Sequence, residues 1–352
     1  MTLLLTNEDI AQVLDMPTAL AALEPLYRDL VAGRAVLRPQ TQTYLPGPLP
    51  GSSYCLKTVE GGSERLGTVA LRVTSDVLRA ETAGGVERRV KVPAAPGGKF
   101  LGLVLLFSTE HGGLLAILPD GVIQHLRVGA ASALAAREMA RPDAQVVGLL
   151  GAGGQAEAQL LALALVRPLA AVRVYSPRAE RRTAFAARMQ ARLDVPVTPV
   201  DNPQEAVEGA DIVAAATNSA TPVLDAAWLR PGQHVGFIRE FEMSDAVLAR
   251  ADRVVVHTRQ GDIDHHTPRG QEALARLQRG RGVAWDRYPE LGEVLAGEAA
   301  GRGRADELTL FMNNFGIGIQ FTALATHAYH QARERGLGRE LPDDWFLETI
   351  QP

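Results

Sequence analysis

The sequence predicts an α/β fold in which a doubly wound parallel sheet is joined to a second domain of α+β type. Three observations lead there. Residues 146–156 read as an apolar strand, a glycine-rich turn and a helix start in immediate succession. From that point to about residue 257, strand-like and helix-like runs alternate, as they do when crossover helices connect parallel strands. Between Arg38 and Ile123 the texture differs, with short strand-like runs cut by glycine pairs, a pattern that favours antiparallel pairing.

Composition sets the outer bounds. A chain of 352 residues exceeds the ~100–200 residues typical of one core, so two domains are expected. A hydrophobic content of 46% with 22% charged residues is that of an ordinary globular protein. The net charge of −4 and the scattered Lys and Arg side chains argue against a nucleic-acid partner. A single cysteine, Cys55, excludes an internal disulfide and fits a reducing, cytoplasmic setting. No signal-peptide pattern opens the chain, and no run approaches the ~18 apolar residues of a membrane span, so no membrane partner is expected.

Taken in order, Thr6 and Asp9 form a capping-box pair that opens a short helix to about Leu14. Asp15 and Pro17 start a second helix that closes near Gly33, with Pro25 inside it. Strands are expected at 40–44, 53–59, 68–75, 87–92, 101–108 and 114–118, separated by turns at Gly61-Gly62, Gly84-Gly85, Gly97-Gly98, Gly112-Gly113 and Asp120-Gly121. A helix over 127–140 leads into the parallel region. Its strands are expected at 145–150, 171–176, 197–200, 211–215, 233–238 and 253–257, with helices at 155–166, 178–192 and 203–208. The polar, glycine-rich stretch 260–305 reads as a long connection carrying helices near 271–279 and 289–296. A final helix over 314–335 ends at Gly336 and has the spacing to cross back to the first domain.

The stretch from Gly151 to Ala156 has the G-x-G-x-x-G/A spacing of a Rossmann dinucleotide site. Gly151 permits a tight turn, Gly153 lets backbone approach a pyrophosphate, and Ala156 is small enough for helix to pack on strand; Ala152, Gly154 and Gln155 complete the loop. The helix start then offers free N–H groups to phosphates. An NAD site would place Asp or Glu at the end of the second strand. This chain has Ser176 there, followed by Arg178, Arg181 and Arg182, which suits a 2′-phosphate. NADP(H) is therefore the expected cofactor, with NAD(H) as the alternative. A helix start with solvated arginines is the plainer reading of the same residues.

Lys57 lies on a strand where Cys55 and Val59 share its face, an apolar setting for a lysine. Burial there would lower its pKa and equip it to exchange a proton with an imine nitrogen. A lysine guarding an edge strand is the competing account. Adjacent His265 and His266, with Asp262 and Asp264, do not form a metal set, because neighbouring histidines on a chain point apart, and no metal is expected. A serine hydrolase lacks its nucleophile elbow.

The strings Tyr54-Cys55-Leu56-Lys57-Thr58-Val59, Leu126-Arg127-Val128-Gly129-Ala130-Ala131-Ser132, the glycine loop, Thr217-Asn218-Ser219 and Leu308-Thr309-Leu310-Phe311 together resemble the ornithine cyclodeaminase/mu-crystallin family over essentially the whole chain. The resemblance implies a substrate and dimerisation domain from 1–126 and 314–352, a central Rossmann domain at 127–313, and homodimers in which the substrate-domain sheets pair. It also implies that Arg127 grips a substrate carboxylate, that Arg38 is a second such arginine, and that Thr217, Asn218 and Ser219 lie near the nicotinamide ribose. A planar guanidinium suits bidentate carboxylate binding. A surface arginine with a buried stem, or a simple turn, would explain these residues without function. Lys57-Thr58-Val59-Glu60-Gly61, Arg239-Glu240-Phe241-Glu242 and Trp345-Phe346-Leu347 are most similar to members labelled as a tyramine oxidase accessory subunit, which adds an oxidase to the partners to consider.

Three functions follow. The first is an oxidoreductase moving hydride between a nicotinamide and the α-carbon of a small imino or amino acid, of ketimine reductase or amino-acid dehydrogenase type. The second is the family's lyase reaction, an ammonia-eliminating cyclisation with bound NAD. The third is a non-catalytic dinucleotide-binding accessory subunit or ligand carrier. The family's cyclodeaminases carry an aspartate after the fifth parallel strand, where this chain has Ile238, with Glu240 two residues on and Glu242 matching a family glutamate of structural role. Isoleucine cannot move a proton. Ornithine cyclisation is therefore expected to be absent or feeble, leaving Lys57 and Glu240 as the catalytic candidates of a redox enzyme.

Overall fold

The computed structural model describes residues 1–83, 86–275 and 283–350. The parallel sheet has seven strands, in the spatial order Val197–Pro199, Ala171–Tyr175, Val146–Leu150, Ile212–Ala215, His234–Phe237, Thr309–Met312 and Arg253–Val256. All its ladders are parallel. The chain builds outward from Val146–Leu150 on one side, then returns to build on the other. That reversal opens a crevice at the carboxyl edge between Val146–Leu150 and Ile212–Ala215, the place where such sheets bind ligands.

Thr309–Met312 was not expected to be a strand. It inserts between His234–Phe237 and Arg253–Val256 and displaces the latter to the edge. All four of its residues are buried. A short apolar run flanked by polar chain carries no period by which sequence could assign it.

The second sheet is antiparallel through its centre and is organised on two long strands, Ser53–Ser63 and Thr68–Ala83. Both chain ends join it: Thr2–Leu4 pairs with Leu114–Pro119 on one side and Arg339–Leu341 on the other. Along the inner face, Val59, Ala70, Val104 and Leu106 pack under the helix Gly318–Arg335. That helix contributes the fully buried Phe321 and Leu324, and Met16–Val31 contributes Leu23 and Leu26. Each large side chain so buried contributes roughly 1.5–3 kcal/mol. The helix approaches the sheet so closely that a Cβ on Gly318 would lie 1.9 Å from the Glu60 carbonyl oxygen.

The expected caps at Thr6–Asp9 and Asp15 are present, and the helix Met16–Val31 runs through Pro25. Several boundaries differ. The strands expected at 53–59 and 68–75 run on as Ser53–Ser63 and Thr68–Ala83, so Gly61-Gly62 lies within a strand and not at a turn. The helix expected to begin at Arg127 begins at Gly121, because burial of Ile123 holds a first turn whose residues have weak helical propensity. The stretch expected to be a connection carrying two helices also contains the strand Ile263–His266, which pairs in parallel with Thr41–Pro46 at the edge of the antiparallel sheet, and the helix Pro268–Ala275 packs on Thr41–Pro46. Residues 263–275 thus lie against the antiparallel sheet, within the stretch 127–313 expected to form the dinucleotide domain. All four residues of Ile263–His266 are exposed, so backbone pairing alone places them and no hydrophobic alternation announces them. The helix near 289–296 is Leu291–Ala296, and residues 276–279 of the expected 271–279 helix lie outside the described residues.

Candidate active site

At the switch point lies a cleft of 740 Å³ lined by Gly151, Ala152, Gly153, Gly154 and Gln155 on one side and Thr217, Asn218 and Ser219 on the other. Ser176, Arg178 and Arg181 line its far wall. Gly151 has φ +118° and a Cβ there would meet the Ala216 carbonyl oxygen at 2.3 Å, so only glycine makes this turn. Ala156 is fully buried under the cleft, packing helix against strand as the spacing requires. The helix Gly154–Val166 has no side-chain cap, and its first intrahelical bond is Glu157 N to Gly153 O, leaving the N–H groups of Gly154, Gln155 and Ala156 without helical partners. The buried Gln155 Oε1 has no partner among the described residues. Volume, open donors and the glycine loop fit a dinucleotide. Arg182 turns away, donating to the Ser176 carbonyl and pairing with Asp201.

A second cavity, of 540 Å³, lies between the antiparallel sheet and the loops that follow His234–Phe237 and Thr309–Met312. Its floor is one face of the sheet. The pairs Gln42–Lys57, Lys57–Thr74 and Cys55–Asp76 set polar side chains side by side where, farther along the same strands, Val59 and Ala70 are core. Lys57 lines this cavity, half-buried, with no hydrogen bond or ion pair among the described residues. Burial, helped by the Arg89 charge, pushes its pKa down to about 8. Burial also raises Asp262 to about 6, although Gln40 donates to it at 3.1 Å. Asp262 and Asp264 line this cavity, whereas the exposed His265 and His266 do not.

Arg127 lies at the opposite end, 7% exposed, and burial pushes its pKa down to about 9. Its hydrogen-bond partners are neutral: Nε donates to Gln124 at 3.2 Å and Nη1 to Gln320 Oε1 at 3.3 Å. A chain of bonds fixes that geometry. His257 Nδ1 faces the Phe315 carbonyl at 2.5 Å and must carry the proton, which leaves Nε2 to accept from the Tyr27 hydroxyl at 2.6 Å. The Tyr27 oxygen in turn accepts from Gln320 Nε2 at 3.0 Å, so the amide oxygen of Gln320 faces Arg127. Burial keeps His257 neutral, with a pKa of about 3. A buried guanidinium without a carboxylate partner is costly unless an anion completes it. Beside it, Arg72 is already neutralised by Asp120 at 2.7 Å, and both arginines lie over the Phe321 ring, at 5.0 and 5.5 Å.

The structure therefore brings Lys57, Arg127 and Glu240 to one cavity, with Ile238 beside them. Glu240 Oε1 is buried and has no partner among the described residues. Arg38 is not part of it: its side chain is 73% exposed and pairs with Glu60 at 2.7 Å. Arg38 immediately follows the edge strand Ala35–Leu37, whereas Arg72 sits mid-strand on the face turned to the cavity. Arg72 went unnoticed in sequence, although its period with Thr74 and Asp76 places all three on one face. Glu242, buried and raised to about 7 by that burial, accepts from the backbone N–H groups of Thr217 and Arg239, tying together loops that border the cleft and the cavity.

Known proteins resemble this chain in sequence and in fold. The sequence profile of the ornithine cyclodeaminase/mu-crystallin family matches residues 96–336. A Delta(1)-pyrroline-2-carboxylate reductase of Bacillus cereus is 30% identical over 245 residues, 68% of this chain and 74% of that protein. The structure of Thermococcus litoralis Delta(1)-pyrroline-2-carboxylate reductase with NADH and L-proline superposes with a TM-score of 0.79 at 26% identity, covering 97% of this chain and all of the other. An archaeal alanine dehydrogenase dimer with bound NAD superposes at 0.78 with 25% identity, covering 97% and 99%.

Proposed function

This chain belongs to the ornithine cyclodeaminase/mu-crystallin family, and from that premise we propose that it is a nicotinamide-dependent oxidoreductase acting at the α-carbon of a small imino or amino acid. The observation that carries the reading is Arg127, a buried guanidinium whose hydrogen-bond partners among the described residues are neutral, in one cavity with Lys57, next to a cleft that fits a dinucleotide. When bound, the dinucleotide supplies or accepts the hydride. Arg127, oriented by Gln320, binds the substrate carboxylate and so fixes which carbon faces the nicotinamide. Lys57, depressed into the working range, gives a proton to the substrate nitrogen in reduction and takes one in oxidation. Glu240, two residues past Ile238, is the remaining acid-base candidate.

The finer cofactor reading is NADP(H) over NAD(H). Ser176 in place of an acid, with Arg178 and Arg181 on the same wall and no ion pair to either among the described residues, supports it. We also propose a homodimer. Leu56, Leu71, Val73, Leu103 and Leu105 form a half-buried apolar face on the outer side of the antiparallel sheet, which a second copy would cover. The chain ends and the polypeptide at 1–126 would then form the substrate and dimerisation part, with most of 127–313 holding the dinucleotide.

One set of measurements tests the reading. NADH and NADPH are titrated by nicotinamide fluorescence, and turnover is screened with cyclic imino acids, α-keto acids plus amines, and ornithine. Consumption of reduced dinucleotide in proportion to imino acid is expected. Tighter binding of NADH would reject the cofactor preference, and proline and ammonia from ornithine with catalytic NAD+ at ~1 s⁻¹ or faster would make the chain a lyase.

A further inference from the structure

We propose that Arg88 is a ligand for the pyrophosphate of the dinucleotide, supplied across the cleft by the antiparallel sheet; the inference rests on the dinucleotide reading above. The strand Val86–Val92 pairs with the far half of Thr68–Ala83 and reaches the parallel domain, where Arg88 forms a backbone bridge with Ser219. Alternation along this strand splits its cations between two sites. Arg88 lines the dinucleotide cleft, while Arg89 and Lys91 line the substrate cavity.

The charge balance of the cleft gives Arg88 its role. A pyrophosphate brings two negative charges, and the glycine loop answers them with N–H groups and a helix end only. The cationic residues lining the cleft are Arg88, Arg178 and Arg181. Arg178 and Arg181 follow the strand Ala171–Tyr175, at the ribose end. Arg88, held at Ser219 beyond Ile212–Ala215, lines the same cleft as the loop from Gly151 to Gly154. It is half-buried and its guanidinium makes no hydrogen bond or ion pair among the described residues, so it is free to meet an anion. The buried, unpartnered Gln155 Oε1 marks the same region as built for a polar ligand. The strand precedes the residues 96–336 that the family profile matches, so Arg88 lies outside that shared stretch.

The test separates this contact from the 2′-phosphate contact. NADH and NADPH are titrated against the full chain and against Arg88→Gln, Arg88→Lys and Arg178→Gln, at low and moderate salt. A charge-assisted phosphate contact is worth about tenfold or more in affinity. Arg88→Gln should weaken both dinucleotides by the same factor and flatten the salt dependence of both, Arg88→Lys should lose less, and Arg178→Gln should weaken NADPH alone. Because the Arg88 guanidinium has no partner among the described residues, the unfolding midpoint without dinucleotide should not move. Wild-type affinity in Arg88→Gln, or a loss confined to NADPH, would overturn the proposal. If the unsubstituted chain binds neither dinucleotide, the functional reading fails and not the placement of Arg88.

Discussion

Lys57 is the residue whose chemistry the pH axis reads most directly. Burial, with Arg89 second, brings its pKa from 10.5 to about 8. At pH 7 that raises the neutral fraction from about 0.03% to about 10%, roughly a 300-fold gain in the form that can take a proton, while the charged form stays abundant. In the reductive direction the ammonium is the working form, so kcat/KM should fall as pH rises through about 8; in the oxidative direction the amine works, and kcat/KM should rise through the same value. Lys57→Met should cost ~10²–10⁴ in kcat/KM and remove the limb from both profiles. Arg89→Leu, which removes the second cause of the depression, should shift the limb upward. The same group leaves a mark on stability. Its folded pKa lies below its unfolded one, so the folded state carries the penalty of a buried charge below pH about 8 and sheds it as pH rises toward 10.5, where stability should increase. A limb near 8 that survives in Lys57→Met would refute the assignment, and a limb near 10.5 would refute the burial argument.

Two further outcomes are expected. Tyr27→Phe removes the hydroxyl that orients the Gln320 amide, so Arg127 should lose its fixed acceptor; the affinity for a carboxylate inhibitor should fall several-fold to tenfold, with dinucleotide affinity unchanged, as read by titration of each ligand. Gly318→Ala puts a methyl group 1.9 Å from the Glu60 carbonyl oxygen and must push the last helix off the sheet, which should cost about 1–3 kcal/mol in denaturant unfolding; an unchanged midpoint would show that the helix shifts freely.

What the sequence determined by itself is local. The glycine loop, the caps at Thr6 and Asp15 and the face occupied by Lys57 each depend on residues within a few positions of one another, and short-range rules reach that far. Tertiary structure decided the rest. The strand Thr309–Met312 took its place because a buried slot lay open between two others, and Ile263–His266 joined the opposite sheet through backbone bonds that no side chain announces. Arg38 and Arg72 are both arginines in the antiparallel region, yet sheet register turns Arg72 into the cavity and leaves Arg38 in solvent. The grip on Arg127 runs from His257 through Tyr27 to Gln320, partners separated by 230 and 293 positions in the chain. Such bonds exist only after both sheets and the last helix have closed around one core, because each partner is buried by elements the others belong to. The sequence names the donors and acceptors, and packing alone determines which of them meet.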